Sequence, residues 1–255
     1  MTFIVGLHCH DGIAMCADSL EGDGITKQYV HKLTCVTTSY GKTKGKGWPK
    51  PHKKDWGFCL GGAGSSIGID KFRDKWQQLV GAMHTFDLTQ LELTAESALR
   101  YMKESYPDIG FDIMLGISGG APSFLTRLYR TYEGLPCLRP ISQGEFVCLG
   151  MDTSLARFLL SALFDSGMDV DEAVGLGILV TSLMKNHADG VGGPTTIFSY
   201  VRKQNVWRGY NKDNIAYWDS RFPDKEVYAL LLEFWKAKNP EYKDRARWGV
   251  LTESK

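Results

Sequence analysis

The sequence predicts an α+β fold in which antiparallel sheets are covered by pairs of helices. Three observations carry that expectation. The segments read, in order, as strands, two helices, strands, two helices and strands, an order that layer packing satisfies with sheets faced by helix pairs. The chain opens on a β-hairpin, because two apolar, β-prone runs flank the turn at Asp11 and Gly12. No repeat or linker interrupts residues 1–203, which read as one domain, and residues 204–255 differ in texture and read as an appended extension.

The elements follow from local chemistry. Residues 3–9 and 13–17 form the two arms of the hairpin, and a third strand over 30–37 follows the Gly-containing turn at 21–24. A fourth, over 56–60, leads into Gly61, Gly62, Ala63 and Gly64, read as a turn that passes from strand to helix. Between the third and fourth strands, residues 42–54 carry six lysines with flanking glycines and prolines, a composition that suits a solvated surface insertion more than a contact with an acidic partner through Trp48. Ser65 or Ser66 caps a helix bearing Ile69, Phe72, Trp76, Leu79 and Val80, and Thr89 starts a second with Leu91, Ala95, Ala98, Leu99 and Met102 on its apolar face. Pro107 and Gly110 end that pattern, after which strands are expected over 111–117, 123–129 and 146–149. Helices follow over 153–165 and 170–186, the second capped by Asp169, then strands over 195–201 and 205–208. The extension carries one expected helix over 225–238, whose Val227, Leu230, Leu231, Phe234 and Trp235 form a stripe for docking on the body or on a neighbouring subunit.

Composition narrows the function classes. The chain has 255 residues, 43% of them hydrophobic, and 30 basic against 29 acidic residues leave a net charge of +1. That balance supplies no global field for nucleic acid or an acidic membrane. No secretory leader and no membrane-spanning run is visible, so a soluble, cytoplasmic protein is expected. The six cysteines include no CxxC pair and read as free thiols packed as small hydrophobes. His8-Cys9-His10 resembles a metal cluster, but strand alternation separates the cysteine from the histidines, and they read as core and hairpin residues. Neither a metal nor a cofactor is expected: the glycines of residues 61–68 lack the Gly-Lys-Ser/Thr ending of a phosphate-binding loop.

One constellation carries chemistry. Trimming of Met1 exposes Thr2 with a hydroxyl and a free α-amine, so nucleophile and base sit on one residue. An α-amine with a pKa of about 7.7 to 8.0 is partly neutral at pH 7, whereas a lysine near 10.4 is almost wholly protonated. Such a site needs a cation, a carboxylate to hold it, and backbone N–H donors facing the substrate carbonyl. Asp18 at the end of the hairpin, Lys32 at the third strand, and the amides of Gly61-Gly62-Ala63 are the candidates, and their order along the chain places them at one sheet edge. A strand that begins at residue 3 is expected to leave no propeptide.

At these residues the chain resembles a known family. "TFIVGLHCHDGIAMCADS" is similar to the first hairpin of proteasome β-type subunits and their bacterial relatives. "HKL" looks like the segment with the family's active-site lysine, here Lys32, and "GGAG" like the turn whose first amide, here Gly61, is the oxyanion donor. "LGMDTSLARFLL" resembles the junction before the third helix, and "NHADGVGGPTTIFSYV" resembles the end of the fourth, with Asp189 at the supporting aspartate. The resemblance implies the four-layer αββα sandwich of N-terminal nucleophile hydrolases and threonine-type peptide hydrolysis. It also implies a homo-oligomeric ring acting on peptide or unfolded-protein substrates, and it admits an ATP-dependent unfoldase as partner. Met151 and Gly192 stand where the family carries serines, and Leu20 where it commonly carries arginine. A non-catalytic ring-building subunit and a small-substrate amidohydrolase of the same nucleophile class therefore stay open beside the peptidase.

Overall fold

A computed structural model describes residues 2–22, 27–29, 32–37, 56–83, 88–119, 125–131, 135–150 and 153–210. The lysine-rich segment 42–54, Met151 and the helix expected over 225–238 lie outside the described residues. Two five-stranded antiparallel sheets form the centre. The first runs β10 (Phe146–Gly150), β1 (Phe3–Cys9), β2 (Gly12–Ala17), β11 (Thr196–Val201) and β12 (Val206–Gly209). The second runs β5 (Leu33–Thr37), β6 (Trp56–Gly64), β7 (Phe111–Gly119), β8 (Leu125–Arg130) and β9 (Arg139–Ile141). A two-stranded hairpin of β3 (Leu20–Gly22) and β4 (Lys27–Tyr29) stands apart from both.

Every residue of β1 and β2 is buried, and the period-2 alternation of a strand decides which layer each enters. Phe3, Val5, Leu7 and Cys9 join Ala14 and Cys16 in a core beneath α3 (Ser154–Leu163) and α4 (Val170–His187). Ile4, Ile13, Met15 and Ala17 point the other way, into a core shared with Met114, Leu128 and Trp207 between the sheets. The second sheet repeats the arrangement, with Phe58, Leu60, Leu115 and Ile117 meeting Phe72 and Trp76 of α1 (Ser66–Gly81) and Leu91, Ala95 and Leu99 of α2 (Leu88–Ser105). Three apolar layers between four structural ones define the αββα sandwich. The sheets meet closely at Gly6, where an added Cβ would lie 2.4 Å from Met114 Sδ across the interface.

The helix ends follow their sequence signals. Ser65 accepts from the Gly68 N–H at 3.3 Å. Asp169 and Glu172 form a reciprocal capping box on α4, with Glu172 N–H to Asp169 Oδ1 at 2.8 Å and Asp169 N–H to Glu172 Oε2 at 3.0 Å.

The structure departs from the sequence reading in two places that bear on the site. The glycines after residue 60 are not a turn: β6 continues through Gly64, paired with β7 as far as Gly64 opposite Phe111, and only Ser65 opens the helix. The pairing outweighs the low strand propensity of glycine because β5 and β7 flank this strand. The strand expected over 30–37 is present as β5, but β3 and β4 form a short hairpin of their own before it, where the sequence reading had a Gly-containing turn.

Candidate active site

The β1–β2 ladder ends at Ile4 opposite Ala17. One step further the Asp18 N–H still donates to Phe3 O at 3.2 Å, but the Phe3 N–H donates to the Asp18 carboxylate, Oδ1, at 2.8 Å. A side chain thus closes the ladder next to Thr2. The carboxylate is fully buried and takes three further donors: Lys32 Nζ on Oδ1 at 2.7 Å, and the N–H groups of Leu20 and Gly192 on Oδ2 at 3.3 and 3.1 Å. Lys32, its side chain only 5% exposed, also donates to the carbonyl of Leu20. A buried charge is costly unless paired and hydrogen-bonded, and four donors on one carboxylate, a lysine among them, meet that condition.

Lys32 immediately precedes β5 of the second sheet, and Asp18 immediately follows β2 of the first. Their ion pair therefore joins the two sheets at the end of the sandwich where Thr2 lies. There Thr2 and Lys32 line a cavity of about 130 Å³ together with Thr34, Leu60, Gly62 and Ile69, with the Asp70–Arg73 ion pair, 2.9 Å, at its wall. Gly61 stands one position off this wall. A Cβ there would meet Leu33 Cδ2 at 2.7 Å and Ile4 Cδ1 at 3.1 Å inside the sandwich, whereas one on Gly62 would meet Ile69 of α1 at 2.6 Å. Asp189 follows α4, exposed at the surface, and is not among the cavity-lining residues; three positions later Gly192 reaches Asp18.

Of the residues picked from sequence, the structure gathers Thr2, Asp18 and Lys32, sets Gly61 at their edge, and has Asp189 outside the cavity lining in the segment that leads to Gly192. Two backbone positions were missed. Gly192 is a hub, its N–H on Asp18 and its carbonyl accepting from the N–H groups of Ser19 and Leu20 at 3.1 and 3.0 Å. Gly150, at φ +111°, lets β10 pass against the start of β1, where a Cβ would fall 1.7 Å from Thr2 O. Only its place at the end of an apolar run, before a helix, could have signalled Gly150; the hydrogen bonds of Gly192 leave no mark on residue type.

The other reactive side chains are occupied elsewhere. His8 is buried between the sheets, with Nδ1 against Ile141 O at 2.8 Å and Nε2 against Thr126 Oγ1 at 3.4 Å, and burial lowers its pKa. All six cysteines are free thiols. Burial raises Cys16, Cys35 and Cys148 to about 12, and raises Cys9 and Cys59 as well, so these five are protonated at neutral pH. Among the described residues no group of three or more His, Cys, Asp and Glu gathers to hold a metal, and no helix is long and apolar enough to cross a membrane.

The four-layer αββα sandwich is that of the N-terminal nucleophile hydrolase fold, and comparison with solved structures agrees. No protein-family model and no curated protein matches the chain. An Anbu Gly-1 mutant from Hyphomicrobium sp. strain MC1 matches with a TM-score of 0.66 at 16% identity, over 94% of this chain and 96% of that one. Anbu from Yersinia bercovieri, described as an ancestral beta-subunit, matches with a TM-score of 0.66 at 11% identity, over 94% of both chains. The helical assembly of the Anbu complex from Pseudomonas aeruginosa matches with 0.62 at 14%, again over 94% of both. At these identities the likeness establishes the fold. It also corrects the resemblance stated from the sequence: these neighbours are Anbu proteins, proteasome-like but distinct from the proteasome β-type subunits. The opening hairpin lies within the first sheet of the sandwich, so its pattern speaks for the fold and does not tell one family of that fold from another.

Proposed function

We propose that the chain is an N-terminal threonine hydrolase that cleaves peptide bonds within a homo-oligomeric, self-compartmentalised assembly. The observation that carries this reading is the buried Lys32–Asp18 pair, 2.7 Å, whose carboxylate also holds the Phe3 N–H directly beside Thr2. Removal of Met1 frees the Thr2 amine. Thr2 Oγ attacks the scissile carbonyl while that amine accepts its proton, and the Lys32 ammonium favours the neutral amine and the developing oxyanion. The Gly61 amide, at the head of the glycine-rich end of β6, is the proposed oxyanion donor. Water then resolves the acyl-enzyme. The helical assembly of the Pseudomonas aeruginosa complex supports an oligomer built from copies of this chain.

A second reading, a non-catalytic assembly subunit, draws support from Gly192, which offers Asp18 a backbone N–H and has no hydroxyl of its own. Intact-mass measurement and one substitution separate the two. The peptidase is expected to lack Met1 and to turn over unfolded-protein or peptide substrates, with activity falling at least a hundredfold in Thr2→Ala. Retained Met1, or turnover equal in both proteins, defeats the peptidase reading. Light scattering is expected to give a particle many times the 28.5 kDa chain, whereas a monomer or dimer would favour a small-substrate amidohydrolase.

A further inference from the structure

Ser19 is 5% exposed, yet its hydroxyl has no hydrogen-bond partner among the described residues. A buried hydroxyl left unpaired is costly, and its neighbours show that the position is held deliberately. The Ser19 N–H is pinned to Gly192 O at 3.1 Å, and Ser19 stands between Asp18, which binds Lys32 through its carboxylate, and Leu20, which binds Lys32 through its carbonyl. The end of the β1–β2 hairpin supplies the proximity. The last paired residues are Ile4 and Ala17, the Asp18 N–H donates to Phe3 O and the Phe3 N–H to the Asp18 carboxylate, so Ser19, next after Asp18, leaves the hairpin beside Thr2, next before Phe3.

We infer that Ser19 is a positioning residue for the Thr2 amine: its Oγ accepts an N–H of that amine and turns the nitrogen lone pair toward Thr2 Oγ. This rests on the reading of Thr2 as the nucleophile. No bond is made or broken at Ser19, and the proton taken from Thr2 Oγ stays on the amine until the leaving group takes it. A hydroxyl that is unpaired before Met1 is removed gains its partner when the amine is freed.

The test is steady-state kinetics on wild type, Ser19→Ala and Ser19→Thr, with Thr2→Ala as the zero, each with Met1 removed. Ser19→Ala is expected to lose at least tenfold in kcat with KM within twofold, and to move the acidic limb of the kcat/KM profile to lower pH, because an acceptor favours the protonated amine. Its melting temperature is expected to equal or exceed that of wild type, since an unpaired buried hydroxyl has been removed, and Ser19→Thr is expected to recover most of kcat. A purely structural serine would give the reverse, lost stability with kcat and pH profile intact, and that result overturns the inference. If wild type shows no turnover dependent on Thr2, the reading of Thr2 fails by itself. Ser19 is then judged by titrating the N-terminal amine through the pH dependence of its carbamylation by cyanate, where identical curves for wild type and Ser19→Ala overturn it.

Discussion

At the scale of single residues, the site is organised by one carboxylate. Asp18 accepts from Lys32 Nζ and from three backbone N–H groups that belong to β1, to β3 and to the segment before β11. Asp18→Asn keeps the shape but removes the carboxylate charge that the Lys32 ammonium, 5% exposed, meets at 2.7 Å. Breaking a buried pair from one side costs about 3–5 kcal/mol. We expect a loss of that size in urea unfolding, together with loss of turnover dependent on Thr2. Lys32→Met should cost less, because the three backbone donors still satisfy the carboxylate; equal costs would show that the charge pair is not what holds this end. His8 sets a pH dependence. Burial lowers its pKa from 6.5, against a smaller upward pull from the Ile141 carbonyl. Below pH 6.5 the unfolded chain therefore binds a proton that the folded chain refuses, so stability is full above that value and falls as pH drops toward the folded pKa. His8→Gln is expected to flatten the decline of unfolding free energy between pH 7 and 5, and an unchanged slope would refute the assignment.

At the scale of elements, the site depends on where strands end. Gly150 closes β10 at φ +111°, with the space a Cβ would need taken by Thr2 O at 1.7 Å. That obstacle is backbone and cannot rotate away. Gly150→Ala is expected to cost at least about 2 kcal/mol and to displace Thr2, abolishing turnover that depends on it. Gly81, the last residue of α1, has nothing within 4 Å of a Cβ, so Gly81→Ala should be neutral or stabilise by up to about 1 kcal/mol. Comparable melting temperatures for the two variants would contradict this account. The same contrast explains what the sequence made legible. The hairpin, both helix pairs and the Asp169 cap follow from local periodicity and capping, and each is present. Thr2, Asp18 and Lys32 could be nominated as a group because the hydroxyl, carboxylate and ammonium the proposed chemistry calls for are marked by residue type, and the structure brings the three to one end of the sandwich. The continuation of β6 through Gly61–Gly64 was not, because it comes from pairing with β7, fifty residues away on the chain, and glycine does not announce it. Gly192 was read only as a missing hydroxyl, since a backbone donor looks the same in every residue but proline.

At the scale of the whole molecule, the function of the site and the union of the two sheets are one problem. The layer between the sheets is apolar, and a few polar bridges cross it. Asp18 to Lys32 ties one end; Trp207 Nε1 to Ser118 Oγ, 2.7 Å, and His8 to Thr126 and Ile141 tie the rest. Trp207 pairs with Tyr200, which pairs with Ile13, whereas the site adjoins Ala17. Four residues of strand separate those levels, roughly 13 Å. The indole also covers Gly57 and Gly116 of the opposite sheet, where Cβ atoms would lie 2.6 and 3.1 Å from it. Trp207→Phe removes the hydrogen bond and part of this cover, for an expected loss of about 1–3 kcal/mol. Because Thr2, Asp18 and Lys32 lie at the far end, kcat of the folded variant should stay within twofold of wild type. Changes more than 10 Å apart with no shared partner add to within about 0.5 kcal/mol. The double variant Asp18→Asn/Trp207→Phe should therefore lose the sum of the single losses if the two ties act independently. A shortfall of 1 kcal/mol or more would mean that the sheets part as a unit, so that either tie protects the site.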